Sequence, residues 1–158
     1  MKYALFDCDG TLLDSMPMWI NLATDVMASY GVDLPREAER ETASMSHEDA
    51  AKFYADTFLN GVGAEELAKK FSATLEENYS ERLALKPYVR EVLDALRERG
   101  VPMAVASSTD AYLLEMCLKR LGLCDYFLFV QTVDNSGHSK NSDAYFKLAC
   151  EKLGCAPE

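Results

Sequence analysis

From Pro87 onward the chain alternates helix-forming stretches with short apolar runs, the pattern of βα units laid on a parallel sheet. Val89, Val92, Leu93 and Leu96 share helical spacing ahead of Gly100, and residues 102–106 read as a strand. Leu113, Met116, Cys117 and Leu121 mark a second helix ahead of Gly122, and residues 126–131 read as another strand. Ser142 is placed to cap a last helix carrying Tyr145, Phe146, Ala149, Cys150 and Leu153, which Gly154 ends. A further strand is predicted near the start, where the apolar residues 3–6 run abruptly into Asp7-Cys8-Asp9-Gly10-Thr11. Between that strand and Pro87 every periodic segment is helical. Ser15 can cap a helix with Pro17 in its first turn and Trp19, Leu22, Ala23, Val26, Met27 and Tyr30 along it. Residues 46–58 and 64–82 carry the aromatic and leucine stripes Phe53, Tyr54 and Phe58, and Leu67, Phe71, Leu75 and Tyr79. The order predicts an α/β fold with an open parallel sheet built from residues 1–14 and 86–158, and an all-helical insertion over 15–85.

Composition narrows the function. With 158 residues, 49% of them hydrophobic, the chain can bury a core. Its net charge of -10 repels nucleic-acid backbones and anionic membranes, so no nucleic-acid or membrane partner is expected. A small anionic substrate would then need local positive charge or a metal. The five cysteines show no CxxC spacing and suit a reducing cytoplasm. Acidic residues arrive after only four apolar positions at the start, too few for a signal-peptide core, and no run approaches the roughly 20 apolar residues of a membrane span.

An open parallel sheet collects its ligands at the carboxyl ends of its strands, and each predicted end here is polar. Asp7 and Asp9 follow the first strand, and in extended chain their carboxylates point roughly the same way. Two ionised carboxylates so close need a cation or a shared proton between them; Mg2+, which takes one or two carboxylates with waters and phosphate oxygens, is the natural choice. An aspartate can also attack phosphorus while a neighbouring carboxyl serves as acid and then base. Gly10 permits the tight turn beside them and Thr11 continues the loop. The plainer alternative is that Asp7 and Asp9 only end a strand and cap a turn. Ser107, Ser108 and Thr109 put hydroxyl and amide donors after the second strand, and Lys140 precedes the last helix. Each alone would read as a helix cap or a solvated surface lysine.

Taken together, the apolar strand, the Asp7-Cys8-Asp9-Gly10-Thr11 sequence with Leu12, Leu13 and Asp14 behind it, the helical insertion, the Ser107 strand end and Lys140 resemble the haloacid dehalogenase superfamily. The resemblance covers nearly the whole chain and lies in the branch of small-molecule phosphatases and beta-phosphoglucomutase. It implies a Rossmann-like core with an inserted helical cap domain whose residues choose the substrate, Mg2+ as cofactor and a small phosphorylated metabolite as substrate. It also implies roles. Asp7 would be the nucleophile and a metal ligand. Asp9 would be the acid/base, holding the metal through its backbone carbonyl. Ser107, Ser108 and Lys140 would bind the phosphoryl group. The dehalogenases themselves lack the second aspartate, so Asp9 favours phosphoryl transfer. The mutase has a histidine early in its first cap helix where Trp19 stands here, which favours a phosphatase over a phosphomutase. Asn141 follows Lys140 where the family often has proline, and His138 reads as a loop residue.

The family also carries a fourth acidic motif after a further strand beside the first. The chain reaches Cys155-Ala156-Pro157-Glu158 without it. The expectation is a fragment with its first strand open at the sheet edge, prone to self-association, with weak Mg2+ binding and little turnover. A catalytically silent binding or assembly module is the alternative reading.

Overall fold

The computed structural model describes residues 2–43 and 45–155. In chain order the elements are β1 (Ala4–Phe6), α1 (Met16–Ala28), α2 (Arg36–Thr42), α3 (His47–Phe58), α4 (Ala64–Glu77), a π-helical turn (Asn78–Arg82), α5 (Val89–Glu98), β2 (Met103–Ala106), α6 (Ala111–Arg120), a 3-10 turn (Cys124–Tyr126), β3 (Val130–Gln131), α7 (Val133–Ser136) and α8 (Asp143–Leu153). The chain divides into two compact units: one runs through Met16 and resumes at Tyr79, the other is Pro17–Asn78.

The first unit is built on a parallel sheet in the order β1-β2-β3, with Leu5 opposite Ala104 and Val105 opposite Val130. Parallel strands need crossovers, and helices supply them. β2 lies between its neighbours and all four of its residues are buried, the near-continuous apolar run that a central parallel strand requires. β1 is half-buried throughout and, among the described residues, pairs only with β2, which makes it an edge. Leu93 of α5, Leu113, Leu114, Cys117 and Leu118 of α6 and Tyr145 and Ala149 of α8 fill the core. α6 shows why its segment is helical: its apolar positions recur at helical spacing, Lys119 and Arg120 complement the helix dipole in the last turn, and Gly122 follows at φ 66°.

The sequence reading places a strand over residues 126–131, and the structure narrows it to Val130–Gln131. The cause is local. Tyr126 belongs to the 3-10 turn and its hydroxyl donates to Asp94 Oδ1 at 2.6 Å, which holds it away from the ladder. The backbone meets β2 already at Leu128, whose N–H donates to the Met103 carbonyl, but regular pairing begins two residues later. The helical unit contains α2, which the reading did not single out, and its main helix pair is α3 with α4. Ser46 caps α3 by accepting the Asp49 N–H. Tyr54 stacks on Phe71 with centroids 6.1 Å apart, and its buried hydroxyl pairs with that of Thr42 at 2.5 Å. A cavity of about 350 Å³ opens in this unit, bordered by Trp19, Glu39, Thr42 and His47, with the Trp19 and His47 rings stacked. No helix of the described residues is long and apolar enough to cross a membrane.

The loop after β1 is closed on a single acceptor. The N–H groups of Thr11, Leu12 and Leu13 all donate to the Cys8 carbonyl, and the Gly10 N–H reaches both the Leu13 carbonyl and Ser15 Oγ. This turn forces Gly10 to φ 76°, where L side chains are strained, and a Cβ there would meet Met16 Cγ at 2.9 Å. Gly10→Ala should therefore lower stability by about 1–2 kcal/mol in urea unfolding; an unchanged midpoint would contradict this account of the turn.

Candidate active site

β1 delivers Asp7, and the turn behind it delivers Asp9, with Cys8 between them. The alternation sends Cys8 into the core, where it is fully buried, and leaves both aspartates partly accessible. Burial, reinforced by the charge of Asp9, pushes the Cys8 thiol far above its ordinary range, so it remains a small neutral hydrophobe.

The two carboxylates have separate partners. Asp7 Oδ1 accepts from the Lys140 ammonium, which comes from the loop before α8, and Asp7 Oδ2 accepts from Thr11 Oγ1 at 3.2 Å. Lys140 is 25% and Asp7 41% exposed at the side chain. The pair is therefore only partly desolvated, and Asp7 remains open to a ligand. Asp9 has no cationic partner in the hydrogen bonds that hold it: Tyr79 donates to Oδ1 at 2.6 Å and Thr109 Oγ1 donates to Oδ2 at 2.7 Å.

Ser107 is buried at the end of β2. Its Oγ accepts the Thr109 N–H at 3.1 Å, which leaves its own proton to donate, and its N–H donates to the Gln131 carbonyl at the end of β3. The short turn from Ser107 to Thr109 thus ties the end of β2 to Asp9. Ser108 is exposed, and among the described residues no hydrogen bond joins its side chain to either aspartate. His138 is also exposed, its backbone N–H donating to Ser136 Oγ.

Tyr145, in the first turn of α8, joins the strand ends beneath this cluster. Its hydroxyl lies 2.9 Å from the Ser107 carbonyl and 2.8 Å from that of Gln131. Ser142 caps α8 by accepting the Tyr145 N–H, so the same helix start that orients Tyr145 also sits just after Lys140.

Of the residues singled out in the sequence, the structure joins Asp7, Thr11 and Lys140 directly, puts Gly10 in the turn, and links Ser107 to Asp9 through Thr109. Tyr79 and Tyr145 are the residues that sequence reasoning missed as site members. Tyr79 lies in register with the apolar stripe of α4 and reads there as helical-unit core. A tyrosine in a stripe of apolar residues, whose hydroxyl needs a partner once buried, was the available signal.

The arrangement is thus a strand-end aspartate held by a lysine, with a second aspartate two residues on, at the carboxyl ends of an α/β sheet. The whole chain, residues 1–158, matches the model of the haloacid dehalogenase-like hydrolases, and it belongs to that family. Among curated relatives it is 31% identical over 156 residues to hexitol phosphatase B of Escherichia coli K12, covering 98% of this chain and 70% of that protein. It is 25% identical to a phosphorylated carbohydrates phosphatase of Thermotoga maritima, covering 100% of this chain and 73% of that one. Among solved structures, a beta-phosphoglucomutase candidate from Thermotoga maritima superposes with a TM-score of 0.85 at 25% identity, covering 100% of this chain and 73% of that one.

Burial, with a smaller contribution from the charge of Asp7, pushes the Tyr145 hydroxyl up to about 12. A tyrosine whose folded value is raised above its unfolded value of about 10 contributes stability that is complete below pH 10 and lost as pH climbs towards 12. Tyr145→Phe should therefore be destabilised relative to the unsubstituted chain at pH 8, by about 1 kcal/mol. The gap in thermal unfolding temperature should close above pH 10; a gap that stays constant to pH 11 would contradict the assignment.

Proposed function

We propose that this chain carries the catalytic core of a phosphatase that hydrolyses phosphate monoesters of small metabolites, sugar phosphates among them, through an aspartyl-phosphate on Asp7. The observation that carries the reading is the Lys140 ammonium set on the carboxylate of Asp7 from 133 residues away. A lysine there can neutralise both the nucleophile and the oxygens of an arriving phosphoryl group. The relatives named for hexitol phosphates and phosphorylated carbohydrates support the substrate class.

In this mechanism an Asp7 oxygen forms a bond to phosphorus as the ester oxygen leaves. Asp9, protonated, gives its proton to that leaving oxygen and then takes one from water. The resulting hydroxide attacks the aspartyl-phosphate, releasing inorganic phosphate and restoring Asp7. Lys140 holds the phosphoryl oxygens, and Ser107 has a hydroxyl proton to add from the end of β2. The helical unit Pro17–Asn78, inserted between the strands that bear Asp7 and Ser107, is the cap domain in this reading.

Mg2+ fits the donors present. Asp7 offers a partly exposed carboxylate, and the bonds that close the turn run to the Cys8 carbonyl and leave the Asp9 carbonyl out. The described residues hold no cluster of three or more His, Cys, Asp or Glu, so Asp7 and the Asp9 carbonyl would hold the ion together with phosphate oxygens and water. When bound, the ion would add positive charge against the phosphate. The five free cysteines support a cytoplasmic setting.

In a phosphate-release assay with Mg2+ and a hexitol phosphate, Asp7→Asn should lower kcat by about a thousandfold or more, because the covalent route is gone. Lys140→Ala should lower it by about a hundredfold. Near-normal turnover in Asp7→Asn would rule out the mechanism.

A further inference from the structure

Asp9 is gripped by two residues that no part of the Asp7-Cys8-Asp9-Gly10-Thr11 sequence contains. Tyr79 and Thr109, 70 and 100 residues away along the chain, each place a hydroxyl on one of its oxygens, at 2.6 and 2.7 Å. Both are fixed from behind. The Tyr79 side chain is fully buried, and its backbone lies in the π-helical turn Asn78–Arg82 that follows α4. Such a turn re-aims a side chain relative to the helix it extends, and π turns concentrate at functional sites. The guanidinium of Arg120, at the end of α6, donates to the carbonyls of Tyr79 and Leu83 and so straps the turn in place. Thr109 is oriented by its own N–H, which donates to Ser107 Oγ.

The chemistry of these partners matters more than their number. A lysine or arginine can only donate, so it would hold the carboxylate and oppose the carboxylic acid. A hydroxyl donates to the carboxylate and, after rotating, accepts from the acid. Asp7 has a different arrangement, a cation on one oxygen.

We infer that Tyr79 and Thr109 are positioning residues that fix the aim of the Asp9 carboxyl, each through one hydroxyl on one of its oxygens. This deepens the phosphatase reading and rests on Asp9 acting as the acid/base there. The proton passes from Asp9 to the departing ester oxygen, and a proton from the attacking water returns to Asp9; the two hydroxyls exchange no proton with the substrate.

The test compares two esters, a hexitol phosphate, whose alkoxide must be protonated to leave, and 2,4-dinitrophenyl phosphate, whose phenolate leaves unaided. In Tyr79→Phe and in Thr109→Val, kcat/KM, which covers only the steps through departure of the first product, should fall by about 10- to 100-fold on the hexitol ester. It should stay within about threefold on the dinitrophenyl ester, because hydrolysis of the aspartyl-phosphate, common to both esters, lies outside it. Thr109→Ser, which keeps the hydroxyl, should restore the hexitol rate. An equal fall on both esters would make these residues merely structural and overturn the inference, as would no fall on either. Asp7→Asn in the same assay separates the two claims. If that variant keeps its activity, the phosphatase reading fails; if it is inactive while Tyr79→Phe treats both esters alike, only the clamp fails. A measurement independent of turnover is the 13Cγ resonance of Asp9 at pH 7. It should move in both Tyr79→Phe and Thr109→Val, and an unmoved resonance in either variant overturns the clamp.

Discussion

Two carboxylates on alternate residues at a strand end repel one another, and the rest of the site is arranged around relieving that repulsion. Side chains two residues apart in extended chain sit about 6–7 Å from each other, and two such charges near a protein surface oppose each other by roughly 2–3 kcal/mol. The structure meets this cost with different donors for each. Asp7 receives an ammonium and a hydroxyl, Asp9 two hydroxyls. Cys8, turned into the core between them, gives the turn its anchor through a carbonyl that accepts three successive N–H groups.

That difference in donors divides the site: Asp7 is paired with a cation and partly exposed, whereas among the described residues Asp9 is held by two hydroxyls. The sheet makes the division possible. β1 brings the aspartates, the end of β2 brings Ser107 and Thr109, and the segment after β3 brings Lys140, so three strand ends converge on one place as an open parallel sheet requires. Tyr145 secures those ends by bridging the Ser107 and Gln131 carbonyls.

Much of this was legible in the sequence. The three strands, the helical insertion and the last helix announce themselves through apolar periodicity, whereas Asp7, Asp9 and Lys140 stand out through the resemblance of their combined pattern to the haloacid dehalogenase superfamily. Two parts were less legible for physical reasons. Residues 126–131 are apolar enough for a full strand, but the 3-10 turn, held by the Tyr126 to Asp94 hydrogen bond, shortens the ladder, and a contact 32 residues away cannot be read from local pattern. Tyr79 falls at the right spacing for the apolar stripe of α4; the π-helical turn alters its aim, and nothing in the local residue types marks such a turn. Thr109 was visible as one of several hydroxyls after β2, yet only the fold shows which aspartate it holds.

The claim on which the account depends is that Asp7 itself becomes phosphorylated. Rapid acid quenching during turnover of a hexitol phosphate with Mg2+, followed by peptide mass spectrometry, measures this directly. The account predicts a phosphoryl adduct on the peptide bearing Asp7, absent from Asp7→Asn and lost on alkaline treatment as an acyl phosphate is. Turnover that proceeds with the Asp7 peptide unmodified at every quench time, or an adduct on another residue, would contradict it.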